Sequence, residues 1–305
     1  DSMQAIYDEG VGNISSYIKS GLVKEVVKDD NYRCSKKVIE LLNKVRVDIN
    51  QSAANKNLIG DIKFIYSQIE NINIDDVKKH SIFNDWNFLD FENTKELYLT
   101  KNLIAKKQGF SEMMEIYGRL SYVDRMLGDN KDRLIKHLFK IQEIIYLYEN
   151  RMYNEFIKKT DFRISKLADK VSLKNNIEEL CQTKDLTIED LINKADKYNL
   201  IKKDDSFDSF VKDHKELFDE VKKLKTEQVK KAYYFEEEYS PYSTQHGVKG
   251  AEFNNVFVVL DNGGWNKYSF KHLFEETAGK ENIIERTLRI FYVCCSRSKD
   301  NLVVF

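Results

Sequence analysis

Proline is almost missing from this 305-residue sequence, where Pro241 stands alone, and cysteine is scarce, with only four residues. Cys34, Cys181, Cys294 and Cys295 are too few for a disulfide-stapled fold, and the last two, as sequence neighbours, are poorly placed to bridge each other. That adjacent pair also lacks the second Cys or His pair at short spacing that a finger-type zinc site needs, so no metal ligand is assigned. Long hydrophobic runs are missing as well. Nothing reaches the ~18 uncharged apolar residues of a bilayer-spanning helix, and the first residues lack the basic-then-apolar order of a signal peptide. The expectation is a soluble, cytoplasmic protein with reduced thiols and no membrane contact. Finally, no charge of one sign dominates: 49 Lys and Arg stand against 50 Asp and Glu, for a net charge of -1. This removes the overall attraction to nucleic acid that a basic chain has, so any such site must be a local groove.

What is present is enough to fold. A content of 42% hydrophobic and 12% aromatic residues excludes wholesale disorder. Val38, Leu41, Leu42, Val45 and Ile49 recur at helical spacing behind Ser35, a candidate N-cap. Short apolar runs at 62–66 and 97–99 have strand length, and residues 102–108 begin a helix. Such alternation argues for a parallel sheet with crossover helices.

From about residue 111 to 231 the pattern turns to long amphipathic stretches with hardly any glycine, such as Leu134, Leu138, Ile141, Ile144, Ile145 and Tyr148. This block reads as all helix. Its lysines, among them Lys202, Lys203, Lys222, Lys223, Lys230 and Lys231, have acids nearby and read mainly as solvated faces. Alternation then resumes. Residues 253–260 form a nearly continuous apolar run suited to a buried parallel strand, and Asp261, Asn262, Gly263 and Gly264 end it. Residues 281–290 read as helix, and 290–295 and 301–305 as the last two strands. The simplest account is one α/β domain made of residues 1–110 and 232–305, with a mostly helical domain, 111–231, inserted.

Four segments are dense in residue types that carry chemistry: DSMQAIY at 1–7, NYRCS at 31–35, HGVKGAEF at 246–253 and YVCCSRSK at 292–299. The second opens a helix, where backbone N–H groups favour an anion. The third lies on a glycine-containing loop before a strand, where backbone can approach phosphate closely.

In this order the segments resemble the motifs of superfamily 1 helicases of the UvrD, Rep and PcrA type, GD-x-x-Q-x-IY, NYRS, H-x-x-KG-x-EF and YV-x-x-(S/T)R-x-K, downstream of the first ATPase lobe. The resemblance frames the whole chain. It implies a parallel-sheet RecA-like (P-loop NTPase-type) lobe with a helical insertion. The phosphate-cradling G-x-x-x-x-GK(S/T) loop and the acidic metal-holding strand are not in the sequence. The expectation is therefore the C-terminal part of an ATP-dependent 3′–5′ DNA helicase or translocase, inactive as an ATPase alone. ATP would be its cofactor, with Mg²⁺ held by the first lobe, and single-stranded or duplex-junction DNA and that first lobe its partners.

By the same resemblance, Arg297 is the arginine finger, Arg33 contacts the terminal phosphate and Gln4 senses it. Tyr32 stacks on the base, Glu252 accepts from the ribose hydroxyl, and Lys249 and Gly250 lie on the nucleotide loop. Thr244, His246 and Tyr7 contact DNA. The structural alternatives are a surface salt bridge for Arg297, a half-buried core position for Tyr32 and plain solvated loop positions for His246 and Lys249. The acidic Asp8 and Glu9 after Tyr7 depart from the family and repel phosphate. With the neutral net charge, they support a second reading: a helicase-like module without motor activity that binds DNA or a nuclease partner in repair or phage defence. A nuclease activity of its own is not expected, because no D…E-x-K metal cluster stands out.

Overall fold

Among the described residues seven strands order the chain: β1 (Asp30–Asn31), β2 (Ser52–Ala53), β3 (Asp61–Phe64), β4 (Thr94–Tyr98), β5 (Tyr242–Thr244), β6 (Phe253–Val258) and β7 (Ser298–Val304). The computed structural model describes residues 3, 6, 17, 20, 26, 29–54, 56–68, 72–182 and 185–305. Two units divide the chain, Asp1–Ile104 with Ser240–Phe305, and Ala105–Tyr239.

The first unit is an α/β layer structure. Among the described residues its main sheet has five strands, all parallel, in the order β3-β7-β6-β4-β5. The apolar run that begins at Phe253 is the central strand, buried because it has neighbours on both sides: Val256 stands between Lys95 and Leu302, and Val258 between Leu97 and Val304. Helices Lys36–Val45 and Glu281–Cys295 cover the sheet with Val38, Leu42, Ile290 and Val293, all fully buried. The connection from β4 to β5 contains the whole helical unit, yet β4 and β5 are direct neighbours, with Glu96 opposite Tyr242. Because β4 and β5 are parallel, the chain leaves at the carboxyl end of β4 and comes back at the amino end of β5, one strand over.

β4 begins earlier than its apolar residues suggest, because its charged residues are buried and partnered. Glu96 is fully buried, bonded to Lys78 Nζ at 2.7 Å and to the Tyr98 hydroxyl at 3.1 Å. Burial and that carboxylate push the Tyr98 hydroxyl far above its ordinary pKa. Lys95 Nζ donates to the Ser240 carbonyl at 2.9 Å and lies over the Phe91 and Phe253 rings.

One expected element is wrong in type. Residues 290–295 are not a strand but the last part of the Glu281–Cys295 helix. A short uninterrupted apolar run does not distinguish a strand from a helix buried on every side, and Ile290 through Cys295 are all buried. The Glu285–Arg289 ion pair, four residues apart on the preceding turn, carries the helical spacing that the apolar run conceals.

The second unit is helical: Ser111–Arg119, Arg133–Glu149, Tyr153–Lys159, Leu167–Cys181, Ile188–Lys197, Asp205–Asp213, Lys215–Val221 and Thr226–Glu236. The helices that begin at Arg133, Ile188 and Asp205 start at side-chain caps. Asp132 accepts from the Ile135 amide, Asp204 from the Phe207 amide, and Thr187 with Asp190 closes a capping box. Met113, Tyr117, Leu134, Leu138, Ile141 and Leu191 lie in its core. Surface lysines are paired, Lys222 with Asp219 and Lys230 with Glu149. No helix among the described residues is long and apolar enough to cross a membrane.

Within that core His137 is 7% exposed, its ring 4.4 Å from that of Phe207, and among the described residues its Nε2 has no hydrogen-bond partner. Burial pushes its pKa down to about 4, against the attraction of Asp204 and Asp196. The unfolded chain takes up this proton near pH 6.5 and the folded one only near 4, so stability is fully present above 6.5 and is lost as pH falls between these values. Urea unfolding of the helical unit should weaken by about 2 kcal/mol between pH 7.5 and 5 on this account. His137→Leu should flatten that part of the profile, and an unchanged profile in the variant would contradict the assignment.

Candidate functional site

Asn31 organises the first arm of the site. Its Oδ1 accepts from the amides of Arg33 (2.9 Å) and Cys34 (3.0 Å), a local turn that projects the Arg33 side chain outward before the Lys36–Val45 helix begins. Ser35 occupies the N-cap position, but its hydroxyl makes no cap bond and instead donates to the Asp300 carbonyl at 3.0 Å. The free helix amides of Lys36 and Lys37 donate to the Leu58 and Ile59 carbonyls, at 2.8 and 3.1 Å. Asn57 Nδ2 braces the same turn from behind, 2.7 Å from both the Asn31 and Cys34 carbonyls.

A second set of bonds ties this turn to the helix that ends at Cys295. Asn31 Nδ2 donates to Gln51 Oε1, and Gln51 Nε2 donates to the Tyr292 hydroxyl, both at 2.7 Å. Asn43 holds Gln51 through both of its backbone groups. Cys34 Sγ donates to the Ser296 carbonyl at 3.5 Å, and burial pushes this thiol up, which makes it a packing group and not a nucleophile.

These bonds converge on the amino ends of β6 and β7. Arg33 Nε meets Glu252 Oε2 at 2.8 Å across 219 positions of sequence, with both side chains partly exposed. An exposed pair of this kind contributes no more than about 1 kcal/mol and yields readily to a competing ligand. Arg297 is 2% exposed. Its Nε donates to the Val293 carbonyl (3.0 Å), one terminal nitrogen to the Ala251 carbonyl (3.2 Å) and the other to Ser296 Oγ (2.7 Å). Burial first, and then the charge of Arg33, lower its proton affinity. Among the described residues no carboxylate pairs with Arg297. Two guanidinium groups thus act on one another here, and Glu252 pairs with Arg33, an arrangement whose natural counter-charge is a polyanion.

Tyr32, beside Arg33, is 79% exposed and not half-buried, with its hydroxyl 3.5 Å from Asp30 Oδ2. Its ring is open to a flat ligand. Lys249 and Gly250 are exposed on the turn that leads through Ala251 to Glu252, and Gly250 has φ +94°. Arg33, Glu252 and Arg297 are therefore brought together, with Tyr32, Lys249 and Gly250 adjoining them. Thr244 and His246 are not part of this cluster. Thr244 pairs with Tyr98 and Val258 with Leu97, which places them at the carboxyl ends of the strands, ~20 Å along β6 from Glu252. Gln4 and Tyr7 lie outside the described residues. Among the described residues no group of three or more His, Cys, Asp or Glu side chains is placed to hold a metal ion.

Gln51, Asn57 and Asn43 had no sequence signal, since each is a lone polar residue in or near a loop whose partners are distant in sequence. Gly60 had none either. It has φ +69°, and a Cβ there would lie 2.0 Å from Ser35 Oγ and 2.4 Å from the Asp300 carbonyl oxygen. Gly279 has a similar φ, +75°, in open space. Gly279→Ala should cost about 1–2 kcal/mol for the backbone alone. Gly60→Ala should cost more than about 3, because Ser35 and the Arg33 turn must also shift. Equal losses in thermal or urea stability for the two would contradict this close approach.

No protein-family model matches the chain. Among curated proteins it is similar to the Gabija protein GajB of Bacillus cereus (strain HuB5-5), 28% identical over an alignment of 363 residues that takes in 100% of this chain and 52% of the relative. The chain thus spans about half the length of the curated relative it matches.

Proposed function

We propose that the chain is the second RecA-like motor lobe of an ATP-dependent helicase or translocase resembling the UvrD type, with residues 111–231 as its helical insertion and the rest as the lobe. The observation that carries the reading is the convergence of Arg33, Glu252 and Arg297, from three distant segments, at one end of a parallel sheet. The match to the Gabija protein GajB along the whole chain also supports it.

The residues present fit an adenine nucleotide. Tyr32 offers an exposed aromatic face for the base, Glu252 an acceptor for a ribose hydroxyl, and Arg33, Lys249 and the Gly250 backbone donors for phosphate. ATP would supply a phosphoryl group whose charge must be neutralised by preorganised cations as two lobes close. Binding would break the weak Arg33–Glu252 pair and so release both groups for the ligand. Arg297 would act last, since its guanidinium must leave neutral acceptors to reach developing negative charge. The Mg²⁺ would be held by the first lobe, and stepping would run 3′ to 5′ along single-stranded DNA, with Thr244 and His246 on the strand.

A second reading has its own support in the burial of Arg297, which faces Val293, Ala251 and Ser296 and is not presented to solvent. A guanidinium fixed in that way suits a helicase-like module without turnover, working beside a nuclease in repair or phage defence.

ATP hydrolysis by the longest native form, with and without single-stranded DNA, separates the two. Strong DNA stimulation, reduced roughly a thousandfold by Arg297→Ala and less by Glu252→Gln, is the expected result. Turnover that survives Arg297→Ala would remove the finger role. A native form silent under both conditions would remove the motor reading and leave the second.

A further inference from the structure

Arg33 has to be aimed by something other than its own partner. Among the described residues its guanidinium bonds to Glu252 alone, and on the nucleotide reading a ligand displaces that exposed pair. A long, rotamer-rich side chain then keeps its direction only if the backbone beneath it is held. That backbone is the turn built on Asn31. Asn57 braces its carbonyls, and Gln51, a residue outside all four motif segments, fastens it to a helix.

The main chain dictates the direction of every bond in this relay. Asn31 Oδ1 is committed to the Arg33 and Cys34 amides, so its Nδ2 faces Gln51 and can only donate. Gln51 must answer with Oε1, at 2.7 Å, which leaves its Nε2 to donate to the Tyr292 hydroxyl, also at 2.7 Å. A Gln51 amide turned the other way would set N–H donors against each other at Asn31.

The far end of the relay is equally fixed. Tyr292 is buried, its ring centre lies 5.8 Å from the Arg46 guanidinium carbon, and Arg46 is held by Asp48 at 2.6 and 3.1 Å. The Tyr292 carbonyl accepts from the Ser296 amide at 2.9 Å, and the next residue is Arg297. Gln51 therefore bridges the turn that carries one guanidinium and the helix end that leads into the other. Its backbone does not depend on this bridge. Asn43 clamps the Gln51 amide at 2.8 Å and its carbonyl at 2.9 Å, and β2, which begins at the next residue, pairs with β1 so that Asn31 stands opposite Ala53. With the fold already held by those bonds, what the Gln51 side chain adds is direction at the Arg33 turn.

We infer that Gln51 is a positioning residue for phosphate binding, which locks the turn that aims Arg33 to the end of the helix that leads into Arg297. This rests on the nucleotide reading above and deepens it, because the two guanidinium groups then meet one phosphate chain in a fixed register.

The test is the affinity of the longest native form for a fluorescent, non-hydrolysable β,γ-imido analogue of ATP with Mg²⁺, read by anisotropy. Gln51→Met, close in length but without either bond, should weaken binding roughly tenfold. Tyr292→Phe, which spares the Asn31–Gln51 bond, should weaken it roughly threefold. Arg33→Ala should weaken it at least as much as Gln51→Met. In the Arg33→Ala background, Gln51→Met should cause no further loss, since a residue that acts only through Arg33 has nothing left to aim. The Gln51→Met melting temperature should fall by no more than about 4 °C, as the Asn43 clamp remains. Equal affinity of Gln51→Met and the unsubstituted protein, or losses that multiply in the double variant, would overturn the positioning role while leaving the nucleotide site intact. Failure of the unsubstituted protein to bind the analogue would overturn the nucleotide reading and this role together.

Discussion

A guanidinium cannot shed its proton to escape burial, and Arg297 is buried with only neutral acceptors to satisfy it. Those acceptors come from three places: the last turns of the Glu281–Cys295 helix, the bend into β7 and the lead-in to β6. The side chain therefore fixes how a helix, a bend and a strand entrance meet. Glu252 follows Ala251 directly, so the same bonds decide where its carboxylate stands and, through the 2.8 Å pair, where Arg33 points. The Asn31–Gln51–Tyr292 chain of bonds closes the ring from the other side. Stability and function are coupled here because the groups that hold this end of the sheet together are the groups that would meet a phosphate.

The sheet separates two chemistries. At its amino ends lie Arg33, Glu252 and Arg297, and at its carboxyl ends lie Thr244 and His246. β6 runs between them, packed on both sides by parallel neighbours, and such a strand resists bending and transmits displacement along its length. A ligand that shifted Glu252 or Ala251 would thus act on the same strand that leads to Val259, whose carbonyl Gln245 holds.

Apolar pattern told most about the parts of the fold whose environment is uniform. The run from Phe253 lies between parallel neighbours, with Val256, Phe257 and Val258 buried, and reads as what it is, and the amphipathic stretches around Leu134–Tyr148 form the long helix Arg133–Glu149. Pattern failed where environment and residue type disagree. Residues 290–295 are apolar all round because a helix is enclosed, and Lys95 and Glu96 are charged within a strand because each has a buried partner. The arginines, Glu252 and Tyr32 were legible as candidates through motif spacing, but not their mutual geometry. That Arg297 turns inward, that Tyr32 stands in solvent and that Gln51 and Asn57 brace the turn all depend on contacts between residues far apart in sequence. Only the folded chain supplies those.

The central claim is that Arg297 serves developing charge on a phosphoryl group in addition to holding the fold. The most direct measurement compares the affinity of the longest native form for ADP with aluminium fluoride, which mimics the transferring phosphoryl group, against its affinity for ADP alone. The account expects Arg297→Ala to weaken the transition-state mimic by about a hundredfold while changing ADP affinity little. Equal weakening of both ligands, or no change in either, would contradict it and leave Arg297 as a structural residue.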